Sequence, residues 1–250
     1  MLSKNKLKFI KSLQLKKRRE ESGCFVVEGK KSVLELIVSS FQIETVACTE
    51  QFWRENNIFL KGKKFTVELC SPPELESMSA FKSPDSVLAV ARMKPSLSPL
   101  ELRGLTLALD GVRDPGNFGT ILRIADWFGV RTILASEDTT DFYNPKTLQA
   151  SMGSFCRVIV HDVQLHSYLQ SLDLPIYAAD KKGKPVHNFA FKKDCILLLG
   201  NESRGIRSPL SDCTSETIGI PGYGKAESLN VAAAAAIICD NYYRVCNDPG

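Results

Sequence analysis

The chain has 250 residues, enough for one large domain or two modest ones, and its 44% hydrophobic and 24% charged residues are the balance of a globular protein. No apolar run approaches the roughly 18 to 20 residues a membrane helix needs, so no membrane partner is expected. The net charge of +4 is uneven: residues 1–31 hold ten Lys/Arg against three Asp/Glu, and a basic leading segment on a near-neutral body points to a polyanion.

In chain order, residues 7–20 read as an amphipathic basic helix, with a basic surface over 4–19. A short strand, Cys24–Glu28, closes at Gly29, and Lys31–Ser39 has helical spacing. Ile43–Cys48 and Phe65–Cys70 are strand-like. Ser71-Pro-Pro-Glu opens a further helix, with Ser at the cap and Pro in the first turn. Ser86–Met93 is a last apolar strand of this part. Strands alternating with helices predict a small α/β domain over residues 1–93. The Pro- and Ser-rich stretch that follows predicts a linker over 94–103.

A second domain is expected over 104–250. Leu105–Asp110 is a continuous apolar run, as in a strand buried on both faces of a parallel sheet. Further strands are expected at Thr132–Ala135, Phe155–Val160, Pro175–Ala179, Cys195–Leu199 and Thr217–Ile220. Helices are expected at Thr120–Phe128 and over the Ala-rich run from Val231. The fold class is therefore α/β, with the ligand outside the strand carboxyl ends.

The eight cysteines show no C-x-x-C pair and no zinc-type Cys/His spacing. They read as reduced thiols of a cytoplasmic protein, and no metal is expected. The start of the chain has no secretory apolar core.

Several catalytic signatures fail. Gly219-Ile-Pro-Gly-Tyr-Gly224-Lys225-Ala226 nearly spells a phosphate loop, but Ala226 has no hydroxyl for magnesium and Pro221 no N–H for phosphate. The dinucleotide pattern fails because Glu227 stands where its third Gly belongs. G-x-S-x-G is absent. His161, His166 and His187 all lie outside the glycine-rich loops.

Three such loops remain, each after a strong strand. The first is Asp110-Gly-Val-Arg-Asp-Pro-Gly-Asn117-Phe-Gly119, leading to a helix that carries Arg123. The second is Gly200-Asn201-Glu202-Ser203-Arg204-Gly205. The third runs from Ile220 through Ser228, Leu229 and Asn230. They supply amides, backbone N–H groups, one Arg and one Glu. Such a set suits a transfer in which a cofactor carries the reactive group and the protein supplies position and electrostatics.

These loops resemble the three signature motifs of the SpoU (TrmH) family of RNA ribose 2′-O-methyltransferases, in order and spacing, across 105–243. Residues 1–93, through Phe25-Val-Val-Glu-Gly29, resemble the small ribosomal-protein-like RNA-binding domain that often precedes this catalytic domain. The resemblance implies a mostly parallel α/β sheet with a deep trefoil knot, in which the segment 196–240 threads through a loop. It also implies S-adenosyl-L-methionine as cofactor and a homodimer. RNA is the implied partner, ribosomal RNA being favoured over transfer RNA. A transfer-RNA methyltransferase and a non-catalytic RNA-binding or ribosome-assembly factor are the alternatives.

Carried onto this chain, the resemblance makes Asn117, Arg123, Glu202 and Asn230 the catalytic set. Arg123 stays charged and steadies the developing alkoxide, because a guanidinium with a pKa above about 12 is a poor base. Asn117 and Asn230 orient the ribose and Arg123, while Glu202 fixes the loop or receives the proton. Ala178, Ala179, Gly200, Ile220, Ser228 and Leu229 hold the cofactor. Lys16, Lys17, Arg18 and Arg19 are expected to meet RNA phosphates. One departure is Gln149, where relatives often carry Arg.

Overall fold

The computed structural model describes residues 2–82, 85–95 and 101–246, so residues 96–100 of the expected linker lie outside the described residues. Contacts divide the chain into two compact units. One is drawn from Met1–Pro95 and Asp141–Cys156, the other from Ser96–Thr140 and Arg157–Gly250. Asp141–Cys156 thus packs with the first unit, although it falls within 104–250.

In the first unit the basic segment forms two helices, α1 (Lys4–Ser12) and α2 (Lys16–Ser22), and not one. Leu13 is fully buried at the break. The Arg19 guanidinium folds back to donate to the carbonyls of Leu13 and Gln14 at 2.7 and 2.9 Å, satisfying acceptors that a continuous helix would have used itself. Gly23 ends α2 in the left-handed conformation, φ 65°.

The chain continues through β1 (Cys24–Glu28), α3 (Lys30–Val38), β2 (Ile43–Cys48), α4 (Glu50–Leu60), β3 (Thr66–Leu69), α5 (Pro72–Met78) and β4 (Val87–Arg92). Helix α4 is absent from the sequence pattern above, although Thr49 caps it by accepting from the Phe52 N–H at 3.2 Å. The strands pair in the order β1-β4-β2-β3, leaving β3 at an edge. Ile10, Leu13, Val26, Val90 and Met78 meet in one core cluster.

Glu28 is buried at the end of β1 and accepts from the Ser79 hydroxyl at 2.5 Å and the Ala80 N–H at 2.8 Å. Burial pushes its carboxyl above the ordinary 4.5, and those two bonds offset the shift only in part. The folded state therefore keeps a proton that the unfolded chain has lost. Stability from this group is present below about pH 4.5 and falls as pH rises through the raised value. Glu28→Gln should remove that fall. Urea unfolding from pH 4.5 to 7 should show the variant gaining on the wild type as pH rises, and parallel curves would contradict the assignment.

The second unit holds β5 (Leu105–Leu109), α6 (Pro115–Trp127) and β6 (Thr132–Ser136). Helix α7 (Pro145–Ser151) packs with the first unit, where Tyr143 and Phe155 join Phe25 and Phe41 in an aromatic cluster. The second unit resumes with β7 (Ile159–Val163), α8 (Leu165–Gln170), β8 (Ile176–Pro185), β9 (Cys195–Leu199), α9 (Ser208–Ser211), β10 (Glu216–Gly219) and α10 (Val231–Cys246).

Three boundaries differ from the sequence pattern: β8 runs on past Ala179 to Pro185, and two others shift at their starts. Phe155 belongs to the aromatic cluster, so β7 starts only at Ile159. Helix α6 starts at Pro115 and not Thr120, because Asp114 caps it and Pro115 occupies its first position. Asn117 is therefore a first-turn residue, not a loop residue.

The six strands order as β10-β8-β9-β5-β6-β7, and all their pairings are parallel. Strands β5 and β9 are buried throughout, as continuous apolar runs require. Between β8 and β10 the register jumps: Ala178 pairs with Thr217, yet Lys184 pairs with Ile218. A Cβ on Gly183 would lie 2.4 Å from the backbone carbon of Ile218, so only glycine lets these backbones pass so closely. Among the described residues no helix is long and apolar enough to cross a membrane.

Candidate active site

The three loops leave the carboxyl ends of β5, β9 and β10 on one edge of the parallel sheet. Chain direction along the sheet reverses between β5 and β9, the place where an open α/β sheet leaves a crevice.

An ion pair between a buried carboxylate and a half-exposed arginine ties the first loop to the segment just after the second. Asp110, just past β5, is 1% exposed and accepts from the Arg207 backbone N–H at 2.7 Å and from its Nε at 2.5 Å. Arg207 also reaches Asp138 at 3.1 Å. The hydrogen bond to Asp110 pushes the Arg207 pKa further up.

Asn201 closes the second loop. It exchanges backbone hydrogen bonds with Gly205 at 3.0 and 2.9 Å, and its Oδ1 accepts from the Ser203 and Arg204 N–H groups. Its Nδ2 donates to the Gly111 carbonyl at 2.6 Å. The loop thus presents Glu202 to solvent at a fixed position.

The third loop ends at Asn230, whose Oδ1 caps α10 by accepting from the Ala232 and Ala233 N–H groups. Its Nδ2 is left to donate, and it does so to Asn117 Oδ1 at 2.8 Å. Asn117 Nδ2 in turn donates to Glu202 Oε1 at 2.9 Å. Donor and acceptor are therefore assigned along the whole chain, from the α10 terminus to an accepting carboxylate.

The structure brings Asn117, Glu202 and Asn230 into direct contact. Arg123 lies on the same helix as Asn117, six residues or about 9 Å further along its axis. It is exposed and has no hydrogen-bond or ion-pair partner among the described residues.

Of the expected cofactor residues, Ala178 pairs with Leu198 on one side and Thr217 on the other, Ala179 follows it within β8, and Gly200 and Ile220 stand just past the ends of β9 and β10. Ser228 and Leu229 are exposed, Leu229 at 51%, beside the α10 cap. None of the backbone N–H groups from Gly222 to Leu229 is hydrogen-bonded to another described residue. The free N–H groups of this loop and the exposed, apolar Leu229 within it fit a ligand that presents both polar and apolar surface.

Three residues to which the sequence assigns no role organise the site: Asp110, Asn201 and Arg207. Asn201 stands in the second glycine-rich loop, and an Asn between glycines is itself a turn signal. The Asp110–Arg207 pairing has no sequence signal, since 97 residues separate its members.

The expected phosphate-binding group in the first unit is corrected at one position. Lys16, Lys17 and Arg18 are exposed, but the Arg19 side chain is 3% exposed and ion-paired with Asp141. Arg19 braces the fold and offers nothing to RNA.

Residues 104–240 match the family described as the SpoU rRNA methylase family, and residues 4–89 match the MRM3-like substrate binding domain. The chain is 30% identical over 237 residues to 23S rRNA (guanosine(2553)-2′-O)-methyltransferase RlmP of Bacillus subtilis, covering 93% of this chain and 94% of the relative. Among solved structures, a TrmH-family protein from Porphyromonas gingivalis superposes with a TM-score of 0.85 at 34% identity, covering 97% of this chain and 98% of that one. An AdoMet-bound rRNA methyltransferase from Sinorhizobium meliloti gives 0.83 at 28% identity, covering 98% and 97%. The family match over residues 104–240 and the identity to RlmP across 93% of the chain show it: the chain belongs to the SpoU rRNA methylase family.

Proposed function

We propose that the protein transfers a methyl group from S-adenosyl-L-methionine to a ribose 2′-hydroxyl of ribosomal RNA. The observation that carries this reading is the Asn117–Glu202–Asn230 trio, with the Arg123 guanidinium, unpaired among the described residues, on the helix of Asn117. The similarity to RlmP, named for 2′-O-methylation of 23S rRNA, supports both the reaction and the substrate.

The bound cofactor supplies an electrophilic methyl group. This chain's residues do the rest. Ala178, Ala179, Gly200, Ile220, Ser228 and Leu229 hold the cofactor. Arg123 grips the phosphate beside the acceptor ribose and stabilises negative charge as it grows on the 2′-oxygen. Asn117 and Asn230 fix the ribose against Arg123, and Glu202, which orients the Asn117 amide, takes the proton that the 2′-hydroxyl gives up as its oxygen accepts the methyl group. Alignment of this kind supplies roughly 7–11 kcal/mol in well-oriented reactions.

The first unit docks RNA, and Gln149, exposed on α7, offers no cation to it. The chain from 196 to 240 follows a knotted path, as the resemblance implies. The protein acts in the cytoplasm as a homodimer, as the resemblance implies.

The test offers methyl-labelled cofactor with transcribed 23S rRNA and, separately, with total tRNA. Label in 23S rRNA is expected. Label only in tRNA would move the substrate. No label, with no cofactor binding by calorimetry, would leave an RNA-binding assembly factor.

A further inference from the structure

The cations of the first unit are not equivalent. On α2 each has a carboxylate nearby: Lys16 with Glu20 at 3.8 Å, Lys17 with Glu21 at 4.0 Å, Arg18 with Glu21 at 2.7 Å. With Arg19 buried, the exposed α2 surface carries three cations against two carboxylates. Its outward field is weak.

Two other groups stay free. Lys4, Lys8 and Lys11 fall at spacings of four and three on α1, one helical face, opposite the buried Ile10. All three are exposed and have no ion-pair partner among the described residues. Lys61, Lys63 and Lys64 crowd the turn that enters edge strand β3, equally exposed and equally unpaired among the described residues.

Lys6 lies roughly 140–160° around α1 from Lys4, Lys8 and Lys11 and donates to Glu68 of β3 at 2.8 Å, so the Lys4–Lys8–Lys11 face points outward from that edge. Lys64 precedes Glu68 by four residues, a backbone span of at most roughly 13 Å. Two carboxylates of this edge are already ion-paired, Glu68 with Lys6 and Glu44 with Arg92. Phe9 at 38% and Phe59 at 47% exposure sit beside the two groups, as platforms for unpaired bases.

We infer that the outer face of α1 and the turn before β3, and not α2, supply the phosphate contacts of the first unit. This rests on the reading that RNA is the substrate. Six cations with no ion-pair partner among the described residues would displace counterions from an RNA backbone, and paired ones would displace fewer.

The experiment uses the full chain and transcribed 23S rRNA, with affinity measured across a salt series. Three triple variants are compared: Lys4→Gln/Lys8→Gln/Lys11→Gln, Lys61→Gln/Lys63→Gln/Lys64→Gln, and Lys16→Gln/Lys17→Gln/Arg18→Gln. The first two should each bind about ten-fold more weakly at moderate salt, with the salt slope reduced by about 2 to 3. The third should change less than about three-fold, and all three should keep wild-type cofactor affinity and urea midpoints. Weakening confined to the α2 variant, or none in the first two, overturns this surface while wild-type methylation still stands. A wild-type protein that neither binds nor methylates RNA overturns the substrate reading, and this surface with it.

Discussion

Arg123→Ala should lower kcat for methyl transfer by about 10²–10³, the effect of removing one preorganised donor from a developing oxyanion. Cofactor affinity and unfolding midpoint should stay at wild-type values, because the side chain is exposed and bonded to no described residue. The loss should appear in single-turnover transfer at saturating RNA. Arg123→Lys separates two roles. A lysine keeps the charge but loses the planar fork that grips a phosphate at two points. Partial activity with a raised KM for RNA is therefore expected from it. Wild-type turnover in the Ala variant would remove Arg123 from the chemistry.

The second large effect is on stability. Arg19→Ala should cost about 3–5 kcal/mol, the range for breaking a buried ion pair by deleting one partner. Asp141, mostly buried in the same unit, would lose its counter-charge, and the carbonyls of Leu13 and Gln14 would lose their donor. Arg18→Ala, one residue away on the exposed side, should change stability by less than about 1 kcal/mol. Urea unfolding of the two variants side by side makes the comparison. Equal midpoints would mean that Arg19 is not the clasp between the α1–α2 break and Asp141.

Adjacent arginines with opposite fates show where sequence stops being informative. A Lys/Arg run reads as a surface, and nothing local marks Arg19 as the residue that turns inward. Its partner is 122 positions away. The break between α1 and α2 is hidden for the same reason, since no Pro or Gly marks it and burial of Leu13 creates it. Phe155 misleads in the opposite direction: its apolar neighbourhood looks like a strand, but an aromatic cluster claims it.

Strands β5 and β9 are legible end to end, because a parallel strand buried on both faces is an unbroken apolar run. For the site, loop composition reveals amides and glycines in place of a metal-type or nucleophile motif. The resemblance to known motifs names the residues. Their joining is invisible in the sequence, since Asn117 reaches Glu202 across 85 positions and Asn230 across 113. Sheet order does that work by placing β5, β9 and β10 where their loops share one edge.

The most direct test of ribose methylation is the chemistry of the labelled product. RNA carrying the transferred methyl group is hydrolysed in alkali, which cuts after every nucleotide with a free 2′-hydroxyl. Methylation of the 2′-oxygen predicts that the label runs as an alkali-resistant dinucleotide. Label released as a mononucleotide would place the methyl group on a base and contradict a site in which Asn117, Arg123 and Asn230 align a ribose.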